Sequence, residues 1–227
     1  MAVLSGLYLG ATSMDVGLVC VPLIALLVDS VSWVDATTYS LLAVALGALL
    51  AWIPKRKQTH YLTALQLAVF SLSGSLLMVR LKLSVPSSLL ACLFAAVAIA
   101  TVIFWYRDFR TRKLSAIAVS RNREPARHQE WFTSLAGIVT GSLITISGLS
   151  SHFFVFPYLL KTVRLNRPTA AATAHFTIFL SAAGSLLLQS RIFAFTPGVS
   201  ELAVFLFGLI AAWVASRLLV KKIARQK

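Results

Sequence analysis

Three ionisable side chains lie inside long apolar stretches of this chain: Asp15, His152 and His175. A charged or titratable group in the hydrocarbon layer is costly, so each is a functional candidate by default. A carboxyl and an imidazole in one low-dielectric cavity can load and release a proton as the cavity opens to either side. Hydroxyls recur around them: Ser13, Thr38, Ser40, Ser147, Ser150, Ser151 and Thr173. Hydroxyls, imidazoles and the free N–H groups of helix starts suit an anion with several oxygens. These ten residues form the candidate substrate site, with Asp15, His152 and His175 as candidates for proton coupling. The plainer alternative is that Asp15 caps the helix after it and that each His bonds a neighbouring helix. No His/carboxylate cluster at ligand spacing is seen, so neither a metal nor a cofactor is expected. Cys20 and Cys92 sit in apolar runs and read as packing residues.

The candidates fall in two stretches with the same punctuation. The first runs Gly6-x-x-x-Gly10, Ser13-Met14-Asp15, Pro22, then Ala36 to Ser40. The second runs Gly137-x-x-x-Gly141, Ser147 to His152, Pro157, then Ala171 to His175. From Pro to Ala is 14 residues in both; from second Gly to Pro is 12 in one and 16 in the other. Ser40 and His175 are counterparts, each 18 residues after its Pro. Paired apolar segments interrupted at matching places point to the binding site of a secondary transporter. Gly6/Gly10 and Gly137/Gly141 read as close-packing motifs. Pro22 and Pro157 weaken or kink the limbs that hold them.

The chain has 227 residues, and only 12% are charged. Soluble domains carry about 25%, so a membrane protein is expected. Apolar runs at 36–54, 58–79, 83–106, 131–160 and 168–190, with a further one near 199–219, are long enough to cross. No basic leader or small-residue cleavage site precedes the first apolar run, so it does not read as a cleaved signal. Net charge is +14, but most of the Lys and Arg fall in four clusters between the apolar runs. That is the positive-inside pattern, with anionic cytoplasmic lipid as the partner, and it argues against nucleic acid.

Charge also orients the chain. Asp29 to Asp35 goes outside, Lys55 to Lys57 inside, and the loop 107–130, with seven bases and three acids, inside. Arg80 and Lys82 are left at the outer end. A single crossing by 131–160 would put Lys161, Arg164, Arg167 and the five-base tail outside; a hairpin returns them inside. Each limb of that hairpin is too short for an upright span, which favours a re-entrant form whose tip faces protein or water. The same reasoning on residues 2–28 gives a hairpin entering from outside. The expected fold is thus an all-α polytopic membrane protein of two inverted repeats, each opening with a broken, re-entrant helical hairpin. The first repeat covers 1–106, a basic cytoplasmic loop 107–130, and the second repeat with the cytoplasmic C-terminal tail 131–227.

The second stretch resembles the sulfite exporter TauE/SafE family. The resemblance rests on Gly137-x-x-x-Gly141, Ser147-Gly148, Pro157-Tyr158-Leu159 and the Ala-rich opening from Thr169 to Ala174. The first stretch is similar more loosely, through Gly6, Gly10, Gly17, Pro22 and Ala36 to Ser40. This resemblance implies a plasma-membrane transporter of two repeats moving sulfite, sulfoacetate or a related sulfur-containing or organic anion, with proton coupling plausible. The chain departs from the family where Gly-rich clusters are usual: it has Asp15-Val16-Gly17 and Ser150-Ser151-His152, which puts substrate identity in doubt. Its second half also reads as one span short of the family pattern. An anion channel, an accessory membrane subunit and, more remotely, an intramembrane Ser/His enzyme stay open as alternatives. The enzyme reading suffers because Thr145-Ile146-Ser147-Gly148 has the wrong first residue for a Gly-x-Ser-Gly element. The oligomeric state is left open, a homodimer included.

Overall fold

The computed structural model describes residues 18, 20–22, 24, 33–112 and 129–193. Ser13, Asp15, the glycines at 6 and 10, most of the first hairpin, the centre of the basic loop and the stretch near 199–219 lie outside the described residues.

The described residues are helical. Helix α1 covers Trp33–Trp52 and α2 covers Tyr61–Ser84, joined through a 3-10 turn at Ile53–Gln58. Helix α3 covers Ser87–Arg112, α4 Gln129–Ser147, α5 His152–Lys161 and α6 Arg167–Phe193. Among the described residues, four stretches are long and apolar enough to cross a membrane: Trp33–Gln58, Tyr61–Lys82, Ser87–Phe104 and Arg167–Gln189.

The boundaries have local causes. Pro54 stands in the first turn of the 3-10 segment, where its missing N–H costs nothing. Helix α2 runs past Arg80 and Lys82 and stops only at Val85, whose extended backbone (φ −97°, ψ 131°) is the conformation a following proline, Pro86, demands. The apolar run expected to end at residue 79 is therefore extended: Arg80 and Lys82 both lie on the helix, and Lys82 is 1% exposed. Helix α6 begins with Asn166, whose Oδ1 accepts the Thr169 N–H at 2.9 Å, and with Pro168 in its first turn.

Helix α4 ends at a built break. Ser147 Oγ donates to the Leu143 carbonyl at 2.6 Å and accepts the Leu149 N–H at 3.2 Å. Gly148 takes φ +65°, a left-handed value that glycine adopts without a Cβ penalty. A Cβ there would lie 2.8 Å from the Thr37 carbonyl oxygen, so α1 also requires glycine at this point. Two residues of the first stretch, Val21 and Leu18, pack on Leu149 of the break, together with Phe94 and Trp33.

Small residues let the helices approach. A Cβ on Gly141 would overlap the Ser71 backbone, and one on Gly74 the Ile138 carbonyl; Gly137 faces Leu67 and Phe70. The Gly137-x-x-x-Gly141 motif is thus the α4 side of a close crossing with α2. Leu67 meets Gly137 and Ser71 meets Gly141, so α2 and α4 run parallel. Ser71 bonds Ser181 at 2.6 Å and Ser75 bonds Ser185 at 2.9 Å, so α2 and α6 are parallel too. Helix α3 lies at the edge and presents Leu89, Leu93, Ile99, Val102 and Ile103; α2 presents Leu62, Leu65, Val69, Leu76 and Leu77. Such exposed apolar faces belong against lipid in a chain of this composition.

Candidate functional site

The break brings one cluster of the expected residues together. Ser40 on α1 donates to the Gly148 carbonyl at 2.7 Å, which joins the first stretch to the second across the helix interruption. Ser147, Ser150 and Ser151 are buried beside it, and Ser151 Oγ has no hydrogen-bond partner. Ser151 stands at the start of α5, where the carbonyl of Ser151 already accepts from Phe154 and Val155. The positive end of the α5 dipole therefore lies at Ser151 and His152.

The first side chain of α5 is His152. Its ring meets that of His175 on α6, centroid to centroid at 5.1 Å with a 32° tilt, and stacks on Phe156 at 5.1 Å. His175 is 8% exposed, while His152 is half-buried. Lys55 of the 3-10 turn acts electrostatically on His175. Arg167 lies over the Phe156 ring at 5.7 Å. Two imidazoles, an orphan hydroxyl and two nearby cations make an environment favourable to a small anion. No group of three or more His, Cys, Asp or Glu suited to a metal occurs among the described residues.

Two expected residues sit elsewhere. Thr173 accepts the His60 backbone N–H at 3.0 Å, at the start of α2. Thr38 donates to Gln189 Oε1 at 2.7 Å and to the Val34 carbonyl at 2.8 Å, at the far end of α6. Ser13 and Asp15 lie outside the described residues.

The structure also shows polar residues that sequence reasoning missed: Thr177, Ser181, Ser185 and Gln189 continue from the expected Thr173 at every fourth residue of α6, and all five are 0% exposed. They form one buried polar stripe about 24 Å long. Ser71 and Ser75 of α2 and Thr145 of α4 pair with it, the Thr145–Ser185 contact being 2.5 Å. Its last member, Gln189, meets Lys82. The four-residue period was the available signal for the stripe. Lys82 gave none, because a lysine at the end of an apolar run ordinarily reaches the interface.

Comparison with known proteins gives one match. A family model described as "Sulfite exporter TauE/SafE" matches residues 1–227. No curated protein and no solved structure matches.

Proposed function

The chain belongs to the sulfite exporter TauE/SafE family, and from that premise, a multi-pass membrane transporter of an anionic substrate and not an enzyme, we propose how it works. The transported species is a small oxyanion, sulfite, sulfoacetate or a close relative. It binds at the interruption between α4 and α5, near the membrane midplane. The observation that carries this reading is the pairing of His152 with His175 beside a helix break whose Ser151 hydroxyl is unpartnered. Imidazoles supply adjustable positive charge. The start of α5 supplies the positive end of its dipole. Ser40, Ser147 and Ser150 shape the wall.

The break belongs, on this reading, to a hairpin that enters and leaves on one side. Three observations support it. Helix α4 is parallel to α2 and α6. Helix α5 has only 10 residues, about 15 Å. The turn from Lys161 to Arg167 then starts α6 at once, so α5 must lead the chain back to where α6 begins. An inverted partner hairpin in residues 2–28 would bring Ser13 and Asp15 to the same region, and the contact of Val21 with Leu149 supports that meeting. Asp15, His152 and His175 would then share a transported proton. The basic segments face the cytoplasm, and the membrane is the plasma membrane.

The test is charge movement in proteoliposomes on a solid-supported membrane. Sulfite, sulfate, thiosulfate, sulfoacetate, acetate and chloride are jumped in turn at two pH values, with tracer flux run beside it. The expected result is a saturable, pH-dependent signal for one sulfur oxyanion. Absence of both current and tracer flux across the panel would overturn the assignment of an oxyanion.

A further inference from the structure

The buried stripe of α6 ends in a group that cohesion between helices does not require. Lys82 of α2 and Gln189 of α6 are 1% and 0% exposed. The ammonium donates to Thr37 Oγ1 at 2.5 Å, and reaches the Val34 carbonyl and Gln189 Oε1 only at 3.4 Å. All three partners are neutral. Asp35, in the first turn of α1, acts on the ammonium electrostatically and offsets part of its charge. Thr38 donates to the same Gln189 Oε1, so that oxygen is fully used. Gln189 Nε2 has no partner at all. The cluster therefore has donors in excess: protons of a long-bonded ammonium and both carboxamide N–H groups. A purely cohesive contact would not need a charge here. Ser71–Ser181 and Ser75–Ser185 tie the same two helices with neutral hydroxyls. A buried charge whose direct hydrogen bonds all go to neutral groups is costly, and so is an orphaned amide.

We propose that Lys82 and Gln189, framed by Thr37 and Thr38, form a second anion-binding station that takes a small oxyanion. One oxygen would accept from the Lys82 ammonium and another from Gln189 Nε2. The inference rests on the reading of the chain as an oxyanion transporter. It adds a site to that reading, because Gln189 lies 14 residues, about 21 Å, along α6 from His175. One small anion cannot touch both, so the ion would visit them in turn. Lys82 and Gln189 close the spans Tyr61–Lys82 and Arg167–Gln189, and α2 and α6 are parallel. The station thus sits toward the ends of α2 and α6 opposite the basic 55–57 segment.

The experiment measures radiolabelled sulfite on the full chain, as equilibrium binding in detergent and as uptake into proteoliposomes. It compares wild type with Lys82→Met, Lys82→Arg and Gln189→Glu, each checked for melting temperature. Losing a hydrogen bond to a charged group should weaken binding roughly tenfold or more in Lys82→Met, and Lys82→Arg should stay within about threefold of wild type. Gln189→Glu decides the matter where Lys82→Met fails to fold. It gives the ammonium an internal carboxylate, so the station predicts an unchanged or raised melting temperature together with about tenfold weaker binding. Wild-type affinity in Gln189→Glu, with wild type active, would overturn the station and leave the transporter reading intact. No binding or uptake of any oxyanion by wild type would overturn both.

Discussion

His152 and His175 come from different helices, 23 residues apart in the chain, and still place their rings 5.1 Å from one another. If they read the anion, His152→Ala should raise the half-saturating concentration roughly tenfold with little change in melting temperature. An unchanged value would make His152 a packing residue against Phe156. Asp15→Asn should remove the pH dependence of transport while substrate still binds; pH dependence that persists would exclude Asp15 as the proton carrier. At this scale the sequence was partly legible. A histidine in an apolar run announces itself by its cost. That the two rings meet is set by how α5 packs on α6. Lys82 and Gln189 were illegible for a physical reason. A terminal lysine is indistinguishable from an interfacial one until the neighbouring helix is seen to cover it, and an uncharged Gln hardly disturbs an apolar run.

At the scale of elements, glycine decides where helices stop and how closely they cross. Gly148→Ala forces a left-handed backbone onto a residue with a Cβ, at about 1–2 kcal/mol, and pushes that Cβ toward the Thr37 carbonyl. The expected outcome is a lower melting temperature and weaker transport from a protein that still inserts. Gly141→Leu drives a side chain into the Ser71 backbone and should cost roughly 3 kcal/mol. It should reduce the folded yield and melting temperature without changing the substrate preference of whatever protein survives. These elements were the legible part. Ser147-Gly148 marked the break and Pro168 the start of α6. The end of α2 was set too early because charge at Arg80 and Lys82 was taken as a boundary, whereas the backbone obeys Pro86.

For the whole molecule, the decisive expectation is sidedness. Single cysteines at Arg56 and Arg164, in an otherwise cysteine-free background, should label from the same face with an impermeant reagent, and one at Val85 from the other. Labelling of positions 56 and 164 from opposite faces would mean that α4 and α5 together cross the membrane, and the hairpin would be lost. Charge distribution is what motivates the hairpin expectation, since a single crossing would divide the basic clusters between the two sides. The packing adds something charge does not carry. Gly74, Gly137 and Gly141 interlock α2 with α4 backbone to backbone, and nothing can slide there without collision. The face that α2 shows to α6 is different, with Ser71 and Ser75 opposite Ser181 and Ser185 at one repeating interval. A shift of α6 by four residues, about 6 Å, would set Ser75 against Ser181 or Ser71 against Ser185. The shift that sets Ser75 against Ser181 also brings Thr177 opposite Ser71, giving two hydroxyl pairs with new partners. The α2–α4 seam is thus keyed by backbone contact at its glycines, and the α2–α6 seam by evenly spaced hydroxyl pairs with Leu72 packed against Gly184.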